Sequence, residues 1–192
     1  MLSNLRPAIV MIALFTLLTG LIYPMAVTGI AQTLFRAQAD GQLVRDASGQ
    51  VIGSHLIGQG FAKPQYLHPR PSAAGTGYDA SNSAGSNMGP LNPKLADRMK
   101  GDAVAIRKDA PGMAIPADAV TTSGSGLDPD ISPAYAHLQA PRIAAARRAS
   151  AADVDAMITA KTGGALLGFI GQPHVNVFDV NRALDARFPV KT

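Results

Sequence analysis

The apolar positions of this chain fall into two regimes. Residues 7–35, PAIVMIALFTLLTGLIYPMAVTGIAQTLF, carry no charge, and residues 8–22 are almost continuously apolar. About 20 such residues cross a bilayer as a helix, and a lone helix satisfies its own backbone groups in lipid. The pattern predicts one membrane-spanning helix, with no second candidate after it. A cleavable signal peptide competes with this reading: Arg6 would be its charged end, residues 8–22 its apolar region, and Ala26 or Ala31 the small residue before the cut. The uncharged block outruns the roughly 7–15 apolar residues of such a peptide, which favours the anchor. Both readings send the rest of the chain outward. Gly20, Pro24 and Gly29 lie in or just after the span. There they either pack against another helix, Pro24 kinking the span, or simply mark its end beside the interfacial Tyr23.

Beyond residue 35 the apolar runs become short and the punctuation dense. Residues 42–54, QLVRDASGQVIGS, carry two β-prone runs around Asp46-Ala47-Ser48-Gly49 and predict a hairpin, with LIGQGF (56–61) continuing the sheet. Residues 62–93 are crowded with Pro, Gly, Ser and Asn, too long a stretch for an idle connection. Asn92-Pro93 then starts a helix that buries Leu95, Met99, Ala103 and Ile106 and ends before Pro111. Ser132-Pro133 repeats the start signal, and Pro141 restarts a second short helix. Ser150 and Asp153 form a capping-box pattern for a third, which stops at Gly163-Gly164. A β-prone run at 175–178 leads to a cap at Asp179 and a last amphipathic turn or two. The fold class is therefore α+β: a single N-terminal transmembrane helix followed by one mixed extracytoplasmic domain. Residues 1–6 form a short cytoplasmic tail, 7–35 the transmembrane helix and its outer extension, and 36–192 the outer domain.

Composition narrows the function. A length of 192 residues suits one core plus something small. The net charge of +4 is mild, and only Arg142, Arg147 and Arg148 cluster, so nucleic acid is excluded as the expected partner. That cluster reads as a solvated helix face rather than a site for lipid phosphates or a partner's carboxylates. With no cysteine there is no disulfide framework, thiolate metal site or cysteine nucleophile. Charge does not decide orientation, since Arg6 stands on one side of the span and Arg36 and Arg45 on the other.

Residues 121–133, TTSGSGLDPDISP, are the oddest stretch. They fail as a Walker A loop because no Lys-Ser/Thr pair follows Gly126. They fail the dinucleotide fingerprint because its third glycine is replaced by Pro129, and the nucleophile elbow because glycines flank Ser125 directly. Unaided chemistry reads a structural turn in which hydroxyls bond the backbone and Asp128 and Asp130 lead into the next helix. His55, His68, His137 and His174 show no ligand spacing, so no metal is expected. Arg70, held between Pro69 and Pro71, suits fixed, bidentate pairing with a carboxylate, or pins its own loop.

Several stretches together resemble one family, the C subunits of the Kdp-type potassium-transporting P-type ATPases of bacteria. They are TGLIYPMAVTGIAQTLF, GSHLIGQGF, YLHPRPSA with GYDASNSAGSNMGPLNP, PADAVTTSGSGLDPDISP, QAPRIAAARR and GQPHVNVFDVNRAL, in family order over nearly the whole chain. The resemblance implies a non-catalytic, single-pass subunit of the inner membrane with its bulk in the periplasm. Its partners would be a channel-like potassium-binding subunit, a phosphorylated ATPase subunit and membrane lipid. ATP and potassium would be handled by the complex, with no cofactor bound by this chain. Its implied roles are assembly and raising the ATPase subunit's affinity for ATP, as a catalytic chaperone. Carried over as fold-and-docking elements are Ser123, Gly124, Ser125, Gly126, Leu127, Asp128 and Pro129; Arg70, Pro71 and Ser72; and Ser86, Asn87, Gly89 and Pro90. Gly20, Pro24 and Gly29 are the helix-packing positions. The chain departs from the family at Asp130, where His or Asn is common, and at Leu67, where an aromatic is. The alternatives are an anchored or secreted serine hydrolase using Ser125 or Ser123, and a periplasmic ligand-binding module.

Overall fold

The computed structural model describes residues 4–190. Residues 1–3 of the expected tail and 191–192 of the expected outer domain lie outside the described residues. The chain divides into two compact units, Met1–Ile52 and Gly53–Thr192.

In the first unit, α1 (Leu5–Leu17), a π-helical turn (Leu18–Ile22) and α2 (Tyr23–Leu34) run on as one apolar helix of 30 residues, none of them buried. At 1.5 Å per residue it is about 45 Å long, against about 30 Å of hydrocarbon, so it is long enough to cross a membrane. Pro24 opens α2 directly after the π turn that holds Gly20. A proline there has no N–H for the carbonyl four residues back, and its ring crowds that carbonyl, so the ladder widens just before it. Thr19 and Thr33 donate their hydroxyls to the carbonyls of Phe15 and Gly29, which keeps both side chains satisfied on the helix itself. After α3 (Arg36–Ala39) comes the expected hairpin of β1 (Leu43–Arg45) and β2 (Val51–Ser54), the last two residues of β2 already belonging to the second unit. The Asp46 carboxylate ties its turn by accepting from the backbone N–H of Ser48 and Gln50.

The expected continuation of that sheet through residues 56–61 is not there. Gly58 instead donates its N–H to the Leu127 carbonyl at 2.6 Å, and a Cβ on it would lie 2.6 Å from the Asp128 oxygen. The segment is spent on packing against another loop rather than on pairing a strand.

The second unit mixes helix and sheet. It holds α4 (Pro93–Asp109), a 3-10 turn (Ala117–Ala119), β3 (Asp130–Ile131), α5 (Pro133–Arg147), α6 (Ala151–Ala160), β4 (Thr162–Gly163), β5 (His174–Asn176) and α7 (Val177–Arg187). The antiparallel sheet has the order β3-β5-β4, with Ile131 and Thr162 both opposite Val175. Its core includes Ile131, Ile143, Val154, Ile158, Val175 and Leu184. Three helix starts form as the sequence reads: Asn92, Ser132 and Ser150 each accept an N–H from the first turn. Of the α4 stripe, Met99, Ala103 and Ile106 pack partly buried against the core.

Two boundaries differ from the sequence reading. Pro141 does not restart a helix but lies inside α5, exposed, while Ala140, Ile143 and Ala144 are buried around it. Burial on the inner side holds the helix together through the one hydrogen bond that proline removes. At the C-terminal end Asn176, not Asp179, is the cap, and Val177 and Phe178 enter the core from the first turn of α7. Core burial has overridden their strand preference.

The stretch between β2 and α4 has no regular element, yet it is pinned. Leu67 is fully buried; its N–H donates to Asn181 Oδ1 at 2.7 Å and its carbonyl accepts from Asn181 Nδ2 at 2.9 Å. Gln139 does the same for His68, at 2.8 and 3.1 Å. Arg147, whose side chain has no exposure, donates to the carbonyls of Gln65 and Phe188 and to Asp185 Oδ1. Arg142 donates to the carbonyls of Pro64 and Tyr66 and pairs with Asp109. The expected solvated arginine face is therefore corrected for Arg142 and Arg147, whose guanidinium groups are structural; Arg148 alone is exposed, as the left-handed cap of α5.

Asn181→Ala removes both bonds to the buried Leu67 peptide groups. It is expected to cost about 3 kcal/mol, since each orphaned buried group costs about 1–3 kcal/mol. Chemical denaturation of the full-length chain in detergent checks this.

Candidate functional site

Three glycine contacts bring the loop at 121–130 against the irregular stretch before α4. Gly126 has φ +67, and a Cβ on it would sit 2.5 Å from the Ala84 carbonyl oxygen and 2.7 Å from the Ala74 nitrogen. Gly85 approaches the Gly124 carbonyl, and Gly58 the Asp128 carbonyl. A backbone bond then stitches the loops, Ala84 N–H donating to the Ser125 carbonyl at 2.9 Å, while Val177 N–H at the start of α7 donates to the Pro129 carbonyl at 3.0 Å.

Arg70 and Ser72 complete the join. Arg70 donates from Nη1 to Asp128 Oδ2 at 2.9 Å, and its other nitrogens reach the carbonyls of Thr121 and Thr122 at 3.4 Å. The carboxylate partner expected for Arg70 is thus Asp128, held through a single nitrogen, and the same side chain pins the two loops. Ser72 Oγ donates to the Gly126 carbonyl at 2.7 Å and accepts from the N–H of Ala74 and Tyr78. The Tyr78 hydroxyl donates back to the Arg70 carbonyl; burial pushes its pKa well up, so it stays a donor.

Two open hollows flank the Arg70–Asp128 pair, which lines both. One, of about 580 Å³, is bordered by Leu56, Ile57, Ser123, Ser125 and Leu127. The other, of about 370 Å³, is bordered by Asp118, Asp130, Ser132 and His174. Asp118 is committed to the start of α5, accepting from the Ser132 N–H at 2.7 Å and hydroxyl at 3.0 Å. Among the described residues the buried Asp130 Oδ1 accepts no hydrogen bond, although Asn176 bears on the same carboxyl. Burial raises the Asp130 pKa, His174 opposes that, and Asp128 adds to it.

The expected site residues are brought together only in part. Arg70, Ser72 and the run from Ser123 to Pro129 share one network, with Pro71 inside it. Ser86, Asn87, Gly89 and Pro90 lie beyond the join, which is made by Ser83, Ala84 and Gly85 instead. Exposed Gly89 accepts from Asn92 N–H at the approach to α4. Among the described residues, neither candidate nucleophile is bonded to a base: Ser125 Oγ accepts from Leu127 N–H and lies 3.5 Å from Ser123 Oγ. The histidines stay apart. His55 pairs with Asp179 and His137 with Asp155, while His68 and His174 bond backbone carbonyls. Tyr78 and Asp118 were not legible as site residues, since a lone tyrosine in a glycine-rich loop and a lone aspartate carry no local signal.

The family described as "KdpC: K+-transporting ATPase, c chain" matches residues 5–186. Among similar proteins, a "Potassium-transporting ATPase KdpC subunit" of Caulobacter sp. (strain K31) is 68% identical over 98% of this chain and 96% of its own length. Proteins of the same name from Beijerinckia indica and Rhodospirillum rubrum are 58% and 51% identical, over 100% and 99% of this chain and 98% and 99% of their own lengths.

Gly126→Ala is expected to lower stability by at least about 1–3 kcal/mol, the cost of a strained left-handed residue, before its contacts with Ala74 and Ala84 are counted. A denaturant titration checks it. Asp130→Asn should act the other way. A carboxyl with a raised folded pKa gives stability that is complete below its unfolded value of 3.8 and lost as pH rises through the folded value. Melting curves should therefore show the variant more stable than the parent at pH 7 and equal to it below pH ~3.8.

Proposed function

The chain belongs to the KdpC family of K+-transporting ATPase c chains, and from that premise we propose that it is a non-catalytic accessory subunit of an ATP-driven potassium importer. The observation that carries the proposal is the match of the family to residues 5–186, from the apolar helix into the last turn of α7. We place the helix Leu5–Leu34 in the bacterial inner membrane, with Gly20, Pro24 and Gly29 toward neighbouring helices, and the second unit on the periplasmic side. Its partners in this reading are the channel-like potassium-binding subunit and the phosphorylated ATPase subunit.

A domain on that side cannot touch cytoplasmic nucleotide. Any effect on ATP affinity passes as a coupling free energy through the membrane helices and their partners. The loop from Ser123 to Pro129 then acts as a preformed docking edge: its carbonyls and turn are already held by Ala84, Ser72 and Arg70, so little order is lost on binding. Ser123 and Ser125 serve this turn rather than a hydrolytic one.

A tagged full-length chain, drawn in mild detergent from its host grown at low potassium, should bring down a P-type ATPase and a channel-like subunit. A solitary chain cut near Ala26 or Ala31 would overturn the reading. Gly124 is exposed, has no positive φ, and would meet nothing within 4 Å of an added Cβ. Gly124→Trp should therefore leave the melting curve unchanged and reduce partner recovery about ten-fold, the effect of spoiling one well-packed interface position. Full recovery would exclude this loop from the docking edge.

A further inference from the structure

The connection between β4 and β5 does nothing for the core. Residues 162–173, TGGALLGFIGQP, carry no charge, and Leu166, Leu167, Phe169 and Ile170 are 67, 76, 78 and 48% exposed. The turn is well formed: Leu166 and Ile170 exchange backbone hydrogen bonds at 2.8 and 2.9 Å, and Gly168 N–H donates to the Ala165 carbonyl at 3.0 Å. Leu167 and Gly168 both have positive φ, 54° and 82°. Turns with two left-handed central residues favour Asn-Gly, because a branched side chain is strained there. Here a leucine holds that position and points no contact into the core cluster. Strain kept at an exposed position by a bulky apolar side chain points to a use outside the fold.

We propose that this tip is a docking anchor that inserts into an uncharged, apolar recess on the extramembranous face of another subunit of the potassium-transporting ATPase. The proposal rests on the accessory-subunit reading above. Composition favours a protein partner: the tip carries no charge over twelve residues and presents Phe169, as an interface core does, where charged residues are depleted and aromatic residues enriched. Area selects it too. Four side chains fall well short of the roughly 800 Å² per partner that a freestanding complex buries, so a dimer of this chain through the tip alone lacks the surface. A partner already held alongside by the membrane helix needs only a small added contact, because the second binding event is then intramolecular.

The chain has no cysteine, so Phe169→Cys offers a single attachment point for a benzophenone maleimide in native membranes. Crosslinking to another ATPase subunit is the expected result. Crosslinking to lipid alone, or to a second copy of this chain, would overturn the proposal. A double variant, Leu167→Asn with Phe169→Ser, puts a turn-favoured residue at 167 and should melt at or above the parent. Its partner recovery in mild detergent should fall about ten-fold; unchanged recovery would overturn the tip as anchor. If the parent chain itself recovers no ATPase subunit, the accessory-subunit reading fails, and the tip's assigned partner with it.

Discussion

Everything in the second unit depends on four polar side chains reading the backbone of an irregular loop. Of residues 64–68, Leu67 is buried and Gln65, Tyr66 and His68 are half-buried, and an unpaired N–H or carbonyl there is costly. Asn181, Gln139, Arg142 and Arg147 satisfy them from α7 and α5, standing in for the strand that the loop does not have. Because each amide both accepts from and donates to one residue, the loop is fixed in register and Leu67 is held in the core. Arg70, two residues beyond His68, is positioned by the same clamp.

That positioning carries through to the docking edge. The Arg70–Asp128 pair is partly exposed, with 24 and 31% of the two side chains accessible, and a pair of that kind adds little stability by itself. The close approach of Gly126 to Ala74 and Ala84, with the carbonyl bonds around it, sets the geometry, and the ion pair selects its orientation. Asp130 sits beside this join with an oxygen that has no partner among the described residues, a local cost that the surrounding sheet carries.

The two proposed contact regions differ in kind. The loop from Ser123 to Pro129 is polar, tied down on several sides and rich in small residues. The tip at 166–170 is apolar and closed by the backbone bonds of its own turn. A rigid polar edge fixes register while a compact apolar tip supplies desolvation, and subunit interfaces combine the two.

Much was legible along the chain because its signals are local. The uncharged run of 29 residues at 7–35, the turn at Asp46 and the caps at Asn92, Ser132 and Ser150 depend on neighbours within a turn, and all formed. The family was legible from motifs in order, though not from any chemical pattern inside them. What the sequence could not decide involves partners far along the chain, up to 114 residues away: the clamps of Gln139 and Asn181, the burial of Arg142 and Arg147, and α5 running through Pro141. Hydrophobic period and capping preference are summed over adjacent residues. Whether a guanidinium is solvated, or a proline tolerated, is settled by what the folded chain packs against it, and only the tertiary structure supplies that.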